Sequence, residues 1–230
     1  MSSGAVRVLV IDDEQPIRKL LRVGLGAEGY GILEARTAAE ADAMLRAEKP
    51  DVVILDLGLP DRLGQELLEQ WRNELIEVPV VVLSSRTDEP GIVQALDLGA
   101  DDYVTKPFGM KELAARLRVA QRHRLQEQGE RPVFKLGDLS VDLVRRIVRL
   151  GDEAINLSPK EYDILRILVQ HAGKVITHRY LLQRVWDETT DVQYLRVYVR
   201  QLRQKLKDSP DEPLYIITET GVGYRLREGE

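Results

Sequence analysis

Val8-Leu-Val-Ile-Asp-Asp-Glu14 is the stretch that decides the fold. Four apolar residues, three of them β-branched, run straight into two adjacent carboxylates. Such a run reads as a strand buried on both faces, as a parallel sheet covered by helices requires. The pattern recurs along the chain. Val52–Leu55 ends at Asp56, Val80–Leu83 ends at Ser84, and Tyr103–Thr105 leads into Lys106-Pro107. In an open parallel α/β sheet the carboxyl ends of the strands open onto one crevice, and ligands bind there. Three acids, one hydroxyl and one lysine, far apart in sequence, are therefore expected at one spot.

Working outward, the apolar runs predict strands at 7–12, 31–35, 52–56, 79–84 and 102–106. Amphipathic stretches at 15–27, 38–48, 64–74, 89–98 and 109–124 predict the helices between them. This alternation means βαβ units and an α/β first domain, residues 1–124. The polar stretch Arg122–Pro132 closes it and predicts a linker, set at 125–132. Beyond it the pattern changes. Short alternating strands are expected at Phe134–Leu136, Leu139–Asp142, Ile147–Leu150 and Ala154–Leu157. Ser158-Pro-Lys-Glu161 then carries an N-cap, a first-turn proline and a capping-box glutamate, opening a helix to about His171. Thr177 caps a second helix to Trp186, and a third spans about 191–207. Leu214–Thr218 and Gly223–Arg227 read as a terminal hairpin. Three helices followed by a hairpin make 133–230 a winged-helix pattern.

The converging carboxylates suit divalent metal and phosphoryl chemistry. Asp12, Asp13 and Asp56 would hold a formal charge of about −3, Lys106 offsets one unit, and Mg²⁺ would offset the other two. Mg²⁺ takes hard oxygen ligands, usually one or two carboxylates with waters and phosphate oxygens. The Gly58 carbonyl, two residues past Asp56, is a further candidate ligand. Asp56 is the best candidate nucleophile, since a carboxylate forms an acyl phosphate. Lys106 and the Ser84 hydroxyl are placed to stabilise charge on phosphoryl oxygens. A lone aspartate at a strand end is more often a turn or cap residue; five coincidences at the same end of one sheet are not.

The segments Val8–Glu14, Leu55-Asp-Leu-Gly-Leu-Pro60, Pro79-Val-Val-Val-Leu-Ser84 and Gly99-Ala-Asp-Asp-Tyr-Val-Thr-Lys-Pro-Phe108 resemble a response-regulator receiver domain. The resemblance implies a flavodoxin-like (βα)5 receiver whose Asp56 accepts a phosphoryl group from a sensor histidine kinase. It also implies Mg²⁺ on Asp12 and Asp13, a hydroxyl–aromatic switch in Ser84 and Tyr103, and phosphate contact by Lys106. It makes the chain a phosphoryl acceptor with slow self-dephosphorylation rather than an enzyme.

The helix at 191–207 carries Arg196, Arg200, Arg203, Lys205 and Lys207, with no acid between Asp191 and Asp208. Leu195, Val199, Leu202 and Leu206 form one apolar stripe. Opposite it lie Gln193, Val197, Arg200 and Gln204, flanked by Tyr194, Gln201 and Arg203. Guanidiniums and amides around a small apolar side chain suit a DNA major groove. Lys205 and Lys207, nearer the helix end, are expected on phosphate. Residues 133–230 resemble the α+β winged helix-turn-helix domain of the OmpR/PhoB subfamily, in Ser158–Tyr162, Val185-Trp186 and Gly223-Tyr-Arg225. Trp186 and Thr220 join the DNA-binding set on that resemblance. Thr220 stands where many members carry a minor-groove arginine. Tyr194–Tyr198, Leu202–Leu206 and Ile217–Tyr224 look closest to members that control a potassium-uptake operon. The subfamily dimerises when phosphorylated, through its fourth helix, fifth strand and fifth helix. Ile92 replaces a basic residue there and His123 an arginine, while Asp101 or Asp102 with Arg116 are the remaining ion-pair candidates.

The bulk numbers exclude several alternatives. The 230 residues are 43% apolar and 31% charged, which is globular. There is no cysteine, which fits a reducing cytoplasm and excludes thiolate metal sites. No apolar run approaches the roughly 20 residues of a membrane span. Met1-Ser-Ser-Gly-Ala has no signal-peptide core. The net charge of −5 argues against general nucleic-acid binding, so the basic helix is a local reversal. The expectation is a cytoplasmic two-component regulator that dimerises on promoter DNA. An aspartyl phosphatase and a phosphorylation-independent DNA-binding protein are the rivals. Gly58 weighs against the first, because such phosphatases carry a second aspartate there. The intact five-residue set weighs against the second.

Overall fold

Alternate residues of the apolar runs face opposite layers, and this sets the architecture of the first unit. A computed structural model describes residues 5–186 and 190–229. These divide into two compact units, Ala5–Gly129 and a second beginning at Glu130. The first contains β1 (Arg7–Ile11), α1 (Gln15–Ala27), β2 (Gly31–Ala35), α2 (Ala38–Glu48), β3 (Val52–Leu55), α3 (Gly64–Asn73), β4 (Val80–Ser84), α4 (Glu89–Asp97), β5 (Asp102–Thr105) and α5 (Met110–Glu127). Its five strands are parallel, in the order β2-β1-β3-β4-β5. Leu9, Ile11, Val53, Leu55, Val80 and Val82 pack toward α2, α3 and α4 around the fully buried Trp71. Val8, Val10, Val52, Ile54, Val81 and Leu83 pack toward α1 and α5. Both faces are covered, so the strands read as unbroken apolar runs.

The strand order puts the topological switch at β1, which has β2 on one side and β3 on the other. Ile11 is in register with Leu55, so Asp12 and Asp56 leave the sheet side by side. The Asp56 N–H donates to the Ile11 carbonyl (2.8 Å) and the Asp12 N–H to that of Ala35 (3.2 Å). Gly64 lets α3 start against the same loop, since a Cβ there would lie 2.4 Å from the Asp56 carbonyl oxygen.

The second unit contains β6 (Val133–Leu136), β7 (Leu139–Asp142), β8 (Ile147–Leu150), β9 (Glu153–Ala154), α6 (Pro159–Gln170), β10 (Ile176–Thr177), α7 (His178–Val185), α8 (Val192–Lys205), β11 (Ile216–Glu219) and β12 (Gly223–Leu226). β6 to β9 form an antiparallel meander, and β10, β12 and β11 a second, three-stranded sheet. The capping box at Ser158 and Glu161 is formed in both directions. Thr177 and Asp191 cap α7 and α8 through side-chain oxygens.

Three boundaries differ from expectation by three residues. α5 continues to Glu127, so residues 125–127 are helical and not linker. Arg124 fixes that last turn by pairing with Glu77 (3.0 Å) and Glu127 (2.9 Å). On the other side, Gln170 binds Glu130 and the Leu143 N–H binds the Pro132 carbonyl, so 130–132 belong to the second unit. β9 stops at Ala154 rather than Leu157, because the chain then turns into the α6 cap. β10 was not expected. It is two residues long, and it pairs with β12 only because Gly223 has no Cβ, which would lie 1.9 Å from the Ile176 carbonyl oxygen.

Helix α8 and the hairpin are held together by Asp208. Its buried carboxylate accepts the N–H groups of Leu214 (2.6 Å), Tyr215 (3.1 Å) and Ile216 (2.9 Å). Removing a charged acceptor leaves these amides without a partner. Asp208→Ala is expected to cost the second unit about 2–4 kcal/mol, read as lost hydrogen-exchange protection of the α6 and α8 amides. A loss under about 0.5 kcal/mol would show that water replaces the carboxylate.

Candidate functional site

The ends of β1, β3 and β5 bring four charged groups together. Lys106 Nζ lies 2.7 Å from Asp12 Oδ2, 3.2 Å from Asp56 Oδ2 and 3.5 Å from Glu14 Oε1. Asp12, Asp13 and Asp56 each offer a carboxylate oxygen, and the three atoms lie within 4.8 Å of one another. Asp12 and Asp56 are buried, whereas Asp13 is exposed, so the cluster opens to solvent on one side. Gly58 is exposed on the adjoining loop, its N–H 3.4 Å from Asp56 Oδ1. A set of hard carboxylate oxygens, open on one side, fits a cation that keeps some of its water, as Mg²⁺ does.

Burial pushes the Asp12 carboxyl above its usual range, against the pull of the Lys106 ammonium and the Glu14 N–H. Burial also opposes the charge on Lys106, but the hydrogen bond to Asp12 and the field of Asp56 outweigh it and raise the lysine. The crowding of acids is thus only partly relieved by the one ammonium.

Ser84 and Tyr103 meet at one residue between them. Ser84 Oγ accepts the Arg86 N–H (3.2 Å), and the Tyr103 hydroxyl donates to the Arg86 carbonyl (3.0 Å). The loop from β4 to α4 is therefore held at both peptide groups of Arg86 by the two side chains expected to act together.

Two supporting residues lay outside the sequence reading. Arg18 is buried on α1, and its Nη1 donates to the carbonyls of Asp12 (2.7 Å) and Asp13 (2.9 Å). The signal was present: Arg18, Leu21 and Leu25 share the buried stripe of α1, and a charge on such a stripe needs partners. Asp61, on the loop that follows Asp56, accepts the N–H groups of Ala38 (2.9 Å) and Ala39 (3.0 Å) at the start of α2. The Ala38 N–H holds its carboxyl below the usual range.

On α8 the stripe Leu195, Val199, Leu202 and Leu206 is buried. Gln193, Tyr194, Val197, Arg200, Gln201 and Gln204 are exposed, and so is Arg196, which sequence reasoning left out of the groove set. Arg203 departs from expectation. It is buried, and its Nη2 donates to the Ile216 carbonyl (2.7 Å) and to Thr218 Oγ1 (2.8 Å). It lies one turn past Val199 and therefore at the edge of the stripe, where β11 covers it. Lys205 and Lys207 also differ. Lys205 Nζ binds the buried Glu161 carboxylate (2.6 Å), and Lys207 pairs with Glu153 (3.0 Å). Trp186 is half-buried, its ring 5.3 Å from that of Tyr198 and 5.2 Å from the Lys160 ammonium, so it packs within the unit. Thr220 is exposed at the hairpin tip.

Of the residues expected at a dimer contact, Ile92 is half-buried beside the exposed Val93 and Leu96 on α4. Asp101 turns inward, accepting the Val80 N–H (2.8 Å) and pairing with Arg72 (3.2 Å). Asp102 already pairs with Arg116 of its own chain (3.0 Å), and Arg116 also binds Glu112 (3.0 Å).

Comparisons with known proteins agree with this layout. Residues 8–118 match the family described as response regulator receiver domain, and 152–226 that described as transcriptional regulatory protein, C terminal. The chain is 46% identical over 221 residues to the KDP operon transcriptional regulatory protein KdpE of Escherichia coli, covering 95% of this chain and 98% of that one. It is 47% identical over 223 residues to the transcriptional regulatory protein KdpE of Mycobacterium tuberculosis, with the same coverage. Among solved structures, a CheY-like response regulator receiver domain protein from Methanospirillum hungatei superposes with a TM-score of 0.50 at 28% identity, over 54% of this chain and 98% of that one.

The exposures on α8 separate solvent-facing from supporting side chains. Arg200→Ala or Gln201→Ala is expected to cost about 1–3 kcal/mol on the selected duplex and less on random DNA. Lys205→Ala is expected to lower the stability of the second unit by about 1 kcal/mol through the loss of its Glu161 pair, with little change in the salt dependence of binding. Titrations on both duplexes at several salt concentrations, with matched melts, check this. A salt slope that falls by one unit in Lys205→Ala would put Lys205 back on phosphate.

Proposed function

This chain belongs to the two-component response regulators that join a receiver domain to an OmpR/PhoB-type DNA-binding domain, and on that premise we propose that Asp56 is the phosphoacceptor that controls its binding to promoter DNA. As a response regulator it acts in the regulation of transcription. The observation that carries the proposal is the Lys106 bridge between Asp12 and Asp56 at the open end of the sheet. Asp12 shares the strand end, the neighbouring acids and the lysine, but its Oδ1 is taken by the Glu14 N–H (2.8 Å) and its Oδ2 by the Lys106 ammonium (2.7 Å), whereas the matching contacts of Asp56 are longer, at 3.4 and 3.2 Å.

In the proposed reaction an Asp56 carboxylate oxygen attacks the phosphorus of a phosphohistidine on a sensor kinase. The P–O bond forms as the P–N bond breaks, and the departing imidazole takes a proton. Asp12, Asp13, Asp56 and the Gly58 loop would hold Mg²⁺, which when bound supplies positive charge to the phosphoryl oxygens. Lys106 keeps Asp12 and Asp56 together beforehand and afterwards offers its ammonium to a phosphoryl oxygen. The Ser84 hydroxyl would turn from the Arg86 N–H to another phosphoryl oxygen, which frees the Arg86 peptide that Tyr103 also holds. Gly58 supplies no side chain to activate water for rapid hydrolysis, which supports a slow acceptor rather than a turnover enzyme.

The relatives named for the KDP operon support control of a potassium-transport operon under a KdpD-like sensor histidine kinase. The phosphorylated form would be a homodimer. Ile92, Val93 and Leu96 give α4 an apolar contact, and Asp102 with Arg116 can exchange their ion pair across subunits. Gln193, Tyr194, Val197, Arg200, Gln201 and Gln204 would face the major groove, with Arg196 beside them. No described helix is long and apolar enough to cross a membrane, and a cytoplasmic location follows from the proposed DNA target.

Incubation with a small acyl phosphate and Mg²⁺ is expected to add one phosphoryl group to the wild-type chain by intact mass, and none to Asp56→Asn. Labelling of Asp56→Asn at near wild-type level would contradict the assignment.

A further inference from the structure

The carboxylate of Asp13 stands apart from its neighbours. Asp12 Oδ1 accepts the Glu14 N–H (2.8 Å) and Oδ2 the Lys106 ammonium (2.7 Å), and Asp56 is tied to the same lysine. Among the described residues no hydrogen bond or ion pair holds the Asp13 carboxylate, which is exposed. Yet it lies within the same cluster of oxygens. Something other than its side chain must set its direction.

The main chain does so, through one buried guanidinium. Arg18 Nη1 holds the carbonyls of Asp12 and Asp13 at once, at 2.7 and 2.9 Å. Two consecutive carbonyls bound to one donor fix the peptide planes on either side of the Asp13 Cα. Tetrahedral geometry at Cα then sets where its carboxylate begins. The guanidinium is itself held, since its Nε lies 3.4 Å from Glu34 Oε2 on β2 and its stem fills the α1 stripe beside Leu21 and Leu25. Arginine suits this position because its planar fork donates several N–H groups in a fixed geometry and stays charged. Glu34 is shared with Arg22 (3.1 Å) and offsets that charge only in part, so Arg18 both orients the Asp12–Asp13 backbone and relieves some of the crowding of the acids.

We infer that Arg18 is a positioning residue for the divalent-cation site, holding the Asp12–Asp13 backbone so that the unanchored Asp13 carboxylate is already aimed at the metal. This rests on the reading of Asp12, Asp13 and Asp56 as an Mg²⁺ site. Partners one shell out from a metal commonly change its affinity by 10–100-fold when removed. Without Arg18 the Asp13 carboxylate samples other directions, and binding must order it.

The test is Mg²⁺ titration of the full chain by calorimetry, for wild type, Arg18→Gln and Arg18→Lys. Arg18→Gln is expected to raise the Mg²⁺ Kd about tenfold, with labelling by acyl phosphate restored at saturating Mg²⁺. Arg18→Lys, which can reach a carbonyl with its ammonium, is expected to fall between. Melting without Mg²⁺ separates general damage from positioning, because a purely structural role lowers that melting temperature and leaves the Kd of the folded variant unchanged. An unchanged Kd in either folded variant overturns the inference. Should neither fold, the guanidinium N–H signals of wild-type Arg18 are followed by NMR during the titration, and signals that do not move overturn it. Absence of Mg²⁺ binding by the wild type would instead sink the metal-site reading itself.

Discussion

Lys106 Nζ lies 2.7 Å from Asp12 and 3.2 Å from Asp56, across 94 and 50 residues of chain. The ends of β1, β3 and β5 can share that contact only because the parallel order β2-β1-β3-β4-β5 aligns their carboxyl ends. The sheet in turn tolerates the crowding of Asp12, Asp13 and Asp56 because the lysine offsets part of it. Two of the acids are buried, and burying a charge without a partner is costly. The rest of the first unit serves this arrangement. Gly64 lets α3 close against the Asp56 backbone, Asp61 ties the following loop to α2, and Arg18 holds the carbonyls of Asp12 and Asp13. The result is a cluster of three acids around one lysine, open to solvent on the Asp13 side.

Much of this was legible because the apolar runs are unbroken and end in chemistry-bearing residues. Period and length alone placed all five parallel strands and their helices to within a few residues. The acid cluster and Lys106 followed from strand-end positions, since topology carries them together whatever their side-chain rotamers. What was missed depended on contacts with no local pattern. β10 forms only where Gly223 allows its backbone to approach, which a two-residue segment cannot announce. The charge of Arg203 suggests a groove-facing side chain, whereas its position one turn after Val199 puts it at the stripe. The Lys205–Glu161 pair joins α8 to the capping box of α6, 44 residues earlier, and no spacing rule reaches that far. The helical extension of α5 to Glu127 came from Arg124, whose partner Glu77 lies outside the helix.

The second unit reads as a rigid mount for α8. Asp208 takes three N–H groups of the segment that leads into β11, and Arg203 takes the Ile216 carbonyl and the Thr218 hydroxyl. The helix and the hairpin therefore move as one piece. Lys160 bonds the Val185 carbonyl at the end of α7 and lies over Trp186, whose ring packs on Tyr198 of α8. The side chains proposed to read bases would lose rotamer freedom when DNA arrives, but the backbone that carries them would need no ordering. A phosphorylation signal would then act on how many of these mounts meet one DNA site, not on their shape. Linking two modules raises apparent affinity through effective concentration, by about 10²–10⁴-fold when the geometry permits.

The most direct measurement is the affinity of the full chain for a duplex selected from a random pool, with and without acyl phosphate, at one fixed Mg²⁺ and salt concentration. Affinity is expected to be at least about tenfold higher after phosphorylation, together with a shift from one chain to two per duplex. Equal affinity and equal stoichiometry in the two conditions would contradict it.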